Sequence, residues 1–132
     1  MTDITPKRSS EAHRGYAVRT QPWLEIAKRY RGVAEFTPML RFVEAISASP
    51  VSAQLFGAPS MFDLLVSDCA DFRVGDSTLH ISYRPSHGTF TFRHHSFSGH
   101  DDEKTCAESE AWETFRLFVR LKYGILFGRP AA

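Results

Sequence analysis

Residues 78–93 read TLHISYRPSHGTFTFR, and this stretch decides the fold. Apolar and polar residues alternate on both sides of the loop 85–88, which is typical of two half-buried strands joined by a turn. A tight register across this loop gives the pairs Arg84–Thr89, Tyr83–Phe90 and Ile81–Phe92. Every apolar side chain then lies on one face, so the sequence predicts an antiparallel hairpin with one buried side.

Helical patterns flank this hairpin on both sides. Helices are predicted over 20–32 and over 37–49, where apolar residues recur at helical spacing and Pro38 suits a first helical position. Further along, Thr105 and Glu108 match a capping box. The last helix is therefore predicted to begin there and to end before Gly124.

The remaining strands are predicted with less sequence to support them. An apolar run over 61–67 is of strand length, although the pattern also allows a helix there. Residues 72–74 lead into the hairpin through the glycine-first turn Gly75-Asp76. Gly57-Ala58-Pro59 is interpreted as a break. The predicted fold class is α+β: N-terminal helices, an antiparallel three- to four-stranded meander, and a long C-terminal helix packed on one face of the sheet.

Length and composition indicate one domain. The chain has 132 residues, 42% of them hydrophobic, and a formal net charge of +1. We expect residues 1–19 to form a mobile lead-in and 20–132 to form the single α+β domain. The near-neutral charge predicts no nucleic-acid partner. A nucleic-acid adaptor using Lys28, Arg29 and Arg31 is the weakest hypothesis, because a basic run is usually a solvated helix face.

The same composition bears on location. No stretch approaches the roughly 20 apolar residues of a membrane span, and the N-terminal residues lack the apolar core of a secretory signal. The two cysteines, Cys69 and Cys106, do not make a disulfide framework. We therefore expect a cytoplasmic protein that contacts no membrane.

Histidines are concentrated in one segment, which contains His80, His87, His94, His95 and His100. The predicted register separates them. His80 lies beside Arg93, His95 lies diagonally on the same face, His94 points to the apolar face, and His87 lies at the loop tip. The candidate ligand-binding residues are therefore His80, Arg93 and His95.

A metal site would need further ligands from the loop that follows. The candidate set is His80, His95, His100, Asp101 and Asp102, which could hold a divalent cation. Its spacing matches no familiar metal motif, and Arg93 would repel a cation. We expect a solvated polar face with no metal and no cofactor.

His94 and Cys106 are the candidate catalytic residues. His94 is interpreted as a core histidine bonded to a backbone carbonyl, and a proton-transfer role would require Asp63 or Asp71 as its partner. Cys106 falls in the first turn of the predicted last helix, where the helix dipole lowers a thiol pKa. A small buried apolar group remains the favoured interpretation of this cysteine.

After the last helix, Ile125, Leu126 and Phe127 either fold back onto the core, which we favour, or form an apolar patch. A homodimer or another protein partner would use this patch or an edge strand. The leading hypothesis is a non-enzymatic module that binds a protein or a small ligand. The alternative is a small enzyme or metal-binding protein with a site made by His80 and His95 together with His100, Asp101 and Asp102.

Overall fold

A computed structural model describes residues 17–73, 78–95 and 102–127. The helices are α1 (Trp23–Tyr30), α2 (Thr37–Ala48) and α3 (Ala111–Tyr123). The strands are β1 (Ala17–Val18), β2 (Phe56–Ser60), β3 (Asp63–Ser67), β4 (Phe72–Arg73), β5 (Thr78–Arg84), β6 (Thr89–His95) and β7 (Asp102–Ala107). Single 3-10 turns occupy Ala34–Phe36, Pro50–Ala53 and Glu108–Glu110.

The main sheet is antiparallel throughout, with the strand order β2-β3-β5-β6-β7. The predicted hairpin register is confirmed, since Tyr83 pairs with Phe90 and Ile81 with Phe92. The α+β class is confirmed as well. The sheet has five strands instead of the three or four predicted, because β2 and β7 were not recognised as strands.

The β7 strand corrects the predicted start of the last helix. Thr105 does not cap a helix: it lies on β7 opposite Thr91, and the two hydroxyl oxygens are 2.8 Å apart. The helix begins only at Ala111. Pairing with β6 satisfies the backbone groups of 102–107, and this tertiary interaction overrides a local capping signature.

The β2 strand corrects the break predicted at Gly57-Ala58-Pro59. Proline is tolerated here because β2 is an edge strand. Gly57 permits a close approach: a Cβ atom at this position would lie 2.5 Å from the Trp23 ring. Absence of that atom lets α1 pack directly against the strand.

A separate two-stranded sheet joins β1 to β4. The predicted lead-in 1–19 therefore includes Ala17 and Val18, which belong to the fold, whereas 1–16 lie outside the described residues. Phe72–Arg73 pairs with β1 and not with β5, and the predicted turn at Gly75-Asp76 also lies outside the described residues. Val18 and Phe72 form a small buried cluster with Ala58 and Leu65 of the main sheet.

The large core lies between the main sheet and the three helices. It contains fully buried residues from every layer, among them Ile26, Ile46, Ile81, Phe92 and Phe115. The C-terminal helix packs on this face, with the Phe118 ring 6.1 Å from that of Phe92. Among the described helices, none has the length and apolar character needed to cross a membrane.

Candidate functional site

The face of the sheet that points away from the helices carries a histidine pair. His80 on β5 and Asp63 on β3 are joined by a hydrogen bond of 2.8 Å between Nε2 and Oδ2. The His95 ring, on β6, lies 6.0 Å from the His80 ring at a steep angle. The prediction that these two histidines share a face is therefore confirmed. Both members of the Asp63–His80 pair are partly exposed.

Asp63 lies on the polar face, as the alternation along β3 predicts, but its partner is not the predicted one. It was considered as a partner of His94, but its side chain binds His80 on the opposite face. The sequence pattern that could have predicted the Asp63–His80 pair is the alternation with Leu64, which places Asp63 on the polar side of β3. In the tautomer in which His80 donates from Nε2 to Asp63, Nδ1 is left as the acceptor, which is the arrangement of an oriented base.

Arg93 lies beside His80 as predicted, in direct register. Its Nε donates to Oε1 of Glu103 on β7 at 3.0 Å. Glu103 therefore balances the charge that was expected to repel a cation from the two histidines. The pair is half exposed, so it contributes little to stability.

Among the described members of the candidate metal set, Asp102 does not lie on the face that His80 and His95 share. Asp102 lies opposite His94 in the β6–β7 register, which places it on the helix side of the sheet, and it pairs with Lys122. His100 and Asp101 lie outside the described residues. Within the described ranges, no group of three or more His, Cys, Asp or Glu side chains could hold a metal ion.

His94 is buried on the helix side, as its position in the alternation predicts. Its ring meets the Tyr123 ring edge to face at 5.7 Å. The carboxylate opposite it in the strand register is Asp102, and neither Asp63 nor Asp71 takes that position. Asp71 is an exposed residue before β4.

Cys106 is also buried, and its setting differs from the prediction. It lies on β7 opposite Phe90, and the last helix begins only at Ala111, so the prediction that places Cys106 in the first turn of that helix is wrong. The side chain joins the large core. Cys69 is exposed, and both thiols are free.

A groove opens between α2 and the start of α3, above the end of the sheet. Its volume is about 440 Å³. Most of its wall is apolar, and the lining residues are Pro38, Arg41, Phe42, Ala45, Phe90, Glu108, Ser109, Ala111 and Trp112. The aromatic rings contact one another: Phe42 lies 5.4 Å from Phe90 and 5.8 Å from Trp112. Only the relative placement of two helices shows that these residues line an opening.

Two charged side chains reach this groove. Glu108 accepts a hydrogen bond of 2.7 Å from the Tyr83 hydroxyl. Burial, followed by this contact with Glu108, raises the pKa of Tyr83 above its usual value, so the phenol keeps its proton. Arg41 is exposed and forms no ion pair within the described part of the chain. The groove therefore joins an apolar wall to one cation without an acidic partner.

The C-terminal segment folds back on α3. Gly124 takes a left-handed conformation that ends the helix, and the Phe127 ring then lies 5.5 Å from Trp112 and 5.6 Å from Phe115. Ile125 and Phe127 pack against the core, whereas Leu126 points outward. The favoured prediction of folding back is correct for two of the three apolar residues.

Comparison of the chain with models of protein families, with curated proteins and with solved structures finds no match. Function therefore has to be inferred from the geometry of this chain.

Proposed function

We propose that this protein is a binding module for a small ligand that has an aromatic or other apolar body and one anionic group. The observation that carries the proposal is the groove between α2 and α3. Its volume of about 440 Å³ falls within the range of roughly 300–1,000 Å³ that is usual for small-molecule sites. The apolar wall receives the body of the ligand, and Arg41 receives the anion.

The chemistry of the lining supports this ligand class. Trp112 is partly exposed at the groove, and the buried rings of Phe42 and Phe90 lie beneath it, so the aromatic lining favours flat apolar groups. Arg41 would form a charge-assisted hydrogen bond, stronger than a neutral one. Glu108 is already an acceptor for Tyr83, so its charge is partly satisfied. An apolar pocket with a few polar groups that fix the orientation is the usual form of a small-molecule site.

The test uses two dyes that differ in charge. 1-Anilinonaphthalene-8-sulfonate has the proposed chemistry, and N-phenyl-1-naphthylamine is its neutral counterpart. Fluorescence titration should show saturable binding of both. Ala45→Leu fills the groove and should weaken both dyes at least about tenfold, because it occupies the space of the apolar body.

Arg41→Gln should weaken only the sulfonate, by about tenfold. Arg84→Gln is the matched control, because Arg84 is exposed on the polar face of the sheet. Unchanged sulfonate binding in both Ala45→Leu and Arg41→Gln would refute the proposal.

A cytoplasmic location is part of the same proposal. Two free thiols, one of them exposed, suit a reducing compartment in which thiols are kept reduced. An oxidising compartment would expose Cys69 to intermolecular pairing. Finding the chain in cell fractions as a Cys69-linked disulfide species would count against this location.

A second candidate function rests on the Asp63–His80 hydrogen bond. In this alternative the protein is a small enzyme in which His80 acts as a base and Asp63 fixes its orientation. Hydrolysis of p-nitrophenyl acetate is a simple assay for an oriented imidazole. His80→Gln and Asp63→Asn should both reduce the rate, whereas His87→Gln, at the exposed loop tip, should not. Equal rates for the wild type and His80→Gln would remove this candidate.

A further inference from the structure

The solvent side of α3 carries two large aliphatic residues, and a third lies just after the end of the helix. Leu117 and Leu121 are 39% and 66% exposed and lie four residues apart, so they occupy the same side of the helix. Leu126, 62% exposed, lines a hollow of about 330 Å³ together with Leu117. Single exposed leucines are ordinary, but a contiguous group marks an interaction surface.

This surface is held in place before any partner arrives. Gly124 N donates to Arg120 O at 3.0 Å, and the rings of Trp112 and Phe115 contact Phe127 on the far side of Leu126. The Arg116 guanidinium lies over the Phe127 ring at 5.7 Å. Leu126 is therefore presented by a segment that is already packed, which lowers the entropic cost of binding.

Charges of opposite sign lie at the two ends of the same surface. Glu113 is at its N-terminal end, and Arg120 is at its C-terminal end. Glu113 accepts a hydrogen bond of 3.0 Å from Arg116 through one carboxylate oxygen, which leaves the other available. Arg120 has no acidic partner within the described ranges. A helix with an acid at one end and a base at the other is complementary to an antiparallel copy of itself.

We propose that the chain forms a homodimer in which the α3 helices of two copies pack antiparallel, with Leu117 near the two-fold axis. Glu113 lies four residues before Leu117, and Arg120 lies three residues after it. Glu113 of one copy and Arg120 of the other are then only about 1.5 Å apart along the helix axis. Leu121 packs beside the axis, and Leu126 extends the contact. A parallel arrangement would place Arg116 and Arg120 against their own copies.

The sheet edges are poor alternatives for self-association. The β2 edge contains Pro59 and is covered at Gly57 by the bridge to Gln21. The β7 edge exposes Glu103 and Lys104, and charged residues discourage edge-to-edge pairing. The apolar side chains of Leu117 and Leu121 on α3 are neither covered by another segment nor replaced by charged residues.

The size of the contact sets the expected affinity. A helix of 13 residues is about 20 Å long, so the paired helices and Leu126 bury an area near the lower end of specific interfaces. We expect a dissociation constant on the order of 10 µM, with monomer and dimer in exchange.

Sedimentation velocity of the full chain over an approximately hundredfold concentration range tests this proposal. The weight-average sedimentation coefficient of the wild type should rise from the monomer to the dimer value. Leu121→Glu should remove the rise, with at least a tenfold weaker association. Leu24→Glu is the matched control, because Leu24 on α1 is 60% exposed and should leave the dimer intact. Circular dichroism checks that each variant is folded, and Leu121→Gln replaces Leu121→Glu if the latter is not.

A charge exchange tests the orientation. Arg120→Glu should weaken the dimer about tenfold, because two acidic residues then meet across the axis. The double variant Glu113→Arg/Arg120→Glu restores the complementary pairs and should recover most of the affinity. A wild type that remains monomeric at the highest concentration overturns the proposal. An equal loss of dimer affinity in Leu24→Glu and Leu121→Glu also overturns it. The same holds if the double variant has no higher dimer affinity than Arg120→Glu.

Discussion

The two faces of the β5–β6 hairpin differ sharply in burial. On the helix side, Ile81 and Phe92 are completely buried. One residue away in each strand, His80 and Arg93 retain 31% and 49% of their side-chain exposure. Both faces share the same backbone hydrogen bonds, so the difference lies in what the side chains contact.

Because of this difference, the helix-side face provides most of the stability, while the polar face is available for binding or catalysis. Burying a large apolar side chain stabilises the fold by roughly 1.5–3 kcal/mol, whereas an exposed ion pair contributes about 0–1 kcal/mol. The helix-side face should therefore tolerate few changes, and the polar face many. The groove at Phe42 and Trp112 is one place where the helix-side core lies next to solvent.

The largest expected effect is at Phe92. Phe92→Ala leaves a cavity beneath Phe118 and Phe42 and should lower the free energy of unfolding by about 3–5 kcal/mol. Arg93→Ala, the next residue on the same strand, should cost less than about 1 kcal/mol. Urea unfolding followed by circular dichroism compares the two. Similar losses in the free energy of unfolding for both variants would mean that the two faces contribute equally to stability, contrary to this prediction.

The next effect tests how tightly the helix-side face is packed at its edge. Gly57→Ala places a Cβ atom 2.5 Å from the Trp23 ring and should cost about 1–3 kcal/mol. The two closest ring atoms belong to the six-membered ring of the indole. Phenylalanine is shorter than tryptophan and lacks these outer indole atoms, so in a Trp23→Phe background the added cost of Gly57→Ala should become smaller. Full additivity of the two substitutions would show that this contact is not the cause.

The polar and apolar alternation of the hairpin was predictable because every signal for it is local. The length of the loop 85–88 and the alternation of both strands agree on one register, and that register also places His80 beside Arg93. In contrast, Thr105 carries a strong local signal for the wrong structure. Only its pairing with Thr91 on β6 decides between strand and helix, and that pairing is not visible in residues 105–108 alone.

The two candidate sites differ in the same way. Alternation along β3 was sufficient to place Asp63 on the polar face, and the Asp63–His80 pair was within reach of sequence reasoning. The groove was not. Phe42 lies in the apolar pattern that predicts the helix over 37–49, but the space between Phe42 and Trp112 depends on how α2 and α3 are placed over the sheet.

Tyr30 links the helix layer to the start of β3 and gives a smaller, pH-dependent effect. Its hydroxyl lies 3.2 Å from the carbonyl oxygen of Phe62 and 3.3 Å from that of Asp63. Burial, and to a lesser extent the Asp63 charge, raise the pKa of Tyr30 above its usual value. Below a pH of about 10 the phenol is neutral in both the folded and the unfolded chain, and its contribution to the free energy of unfolding is fully present.

Above that pH the unfolded chain releases the proton first, so stability falls by up to about 1.4 kcal/mol per pH unit. Tyr30→Phe should cost about 1 kcal/mol at neutral pH because the hydroxyl loses its acceptors. The difference in the free energy of unfolding between the variant and the wild type should become smaller as the pH rises above 10. Urea unfolding at several alkaline pH values measures this gap, and a constant gap would contradict the role of the phenol.

Asp63 belongs to both faces and gives the smallest expected effect. Its carbonyl oxygen lies within hydrogen-bond reach of the Tyr30 hydroxyl on the helix side, while its carboxylate binds His80 on the polar side. Asp63→Asn removes the charge and keeps the backbone contact. A double-mutant cycle with His80→Gln should give a coupling energy below about 1 kcal/mol, because both side chains are partly exposed.

A coupling energy well above that value would mean that the polar face stabilises the fold as the helix side does. A small value has a different consequence. His80 and Asp63 are then held together at little benefit to stability, and loss of either can be tested for an effect on hydrolysis without unfolding the chain.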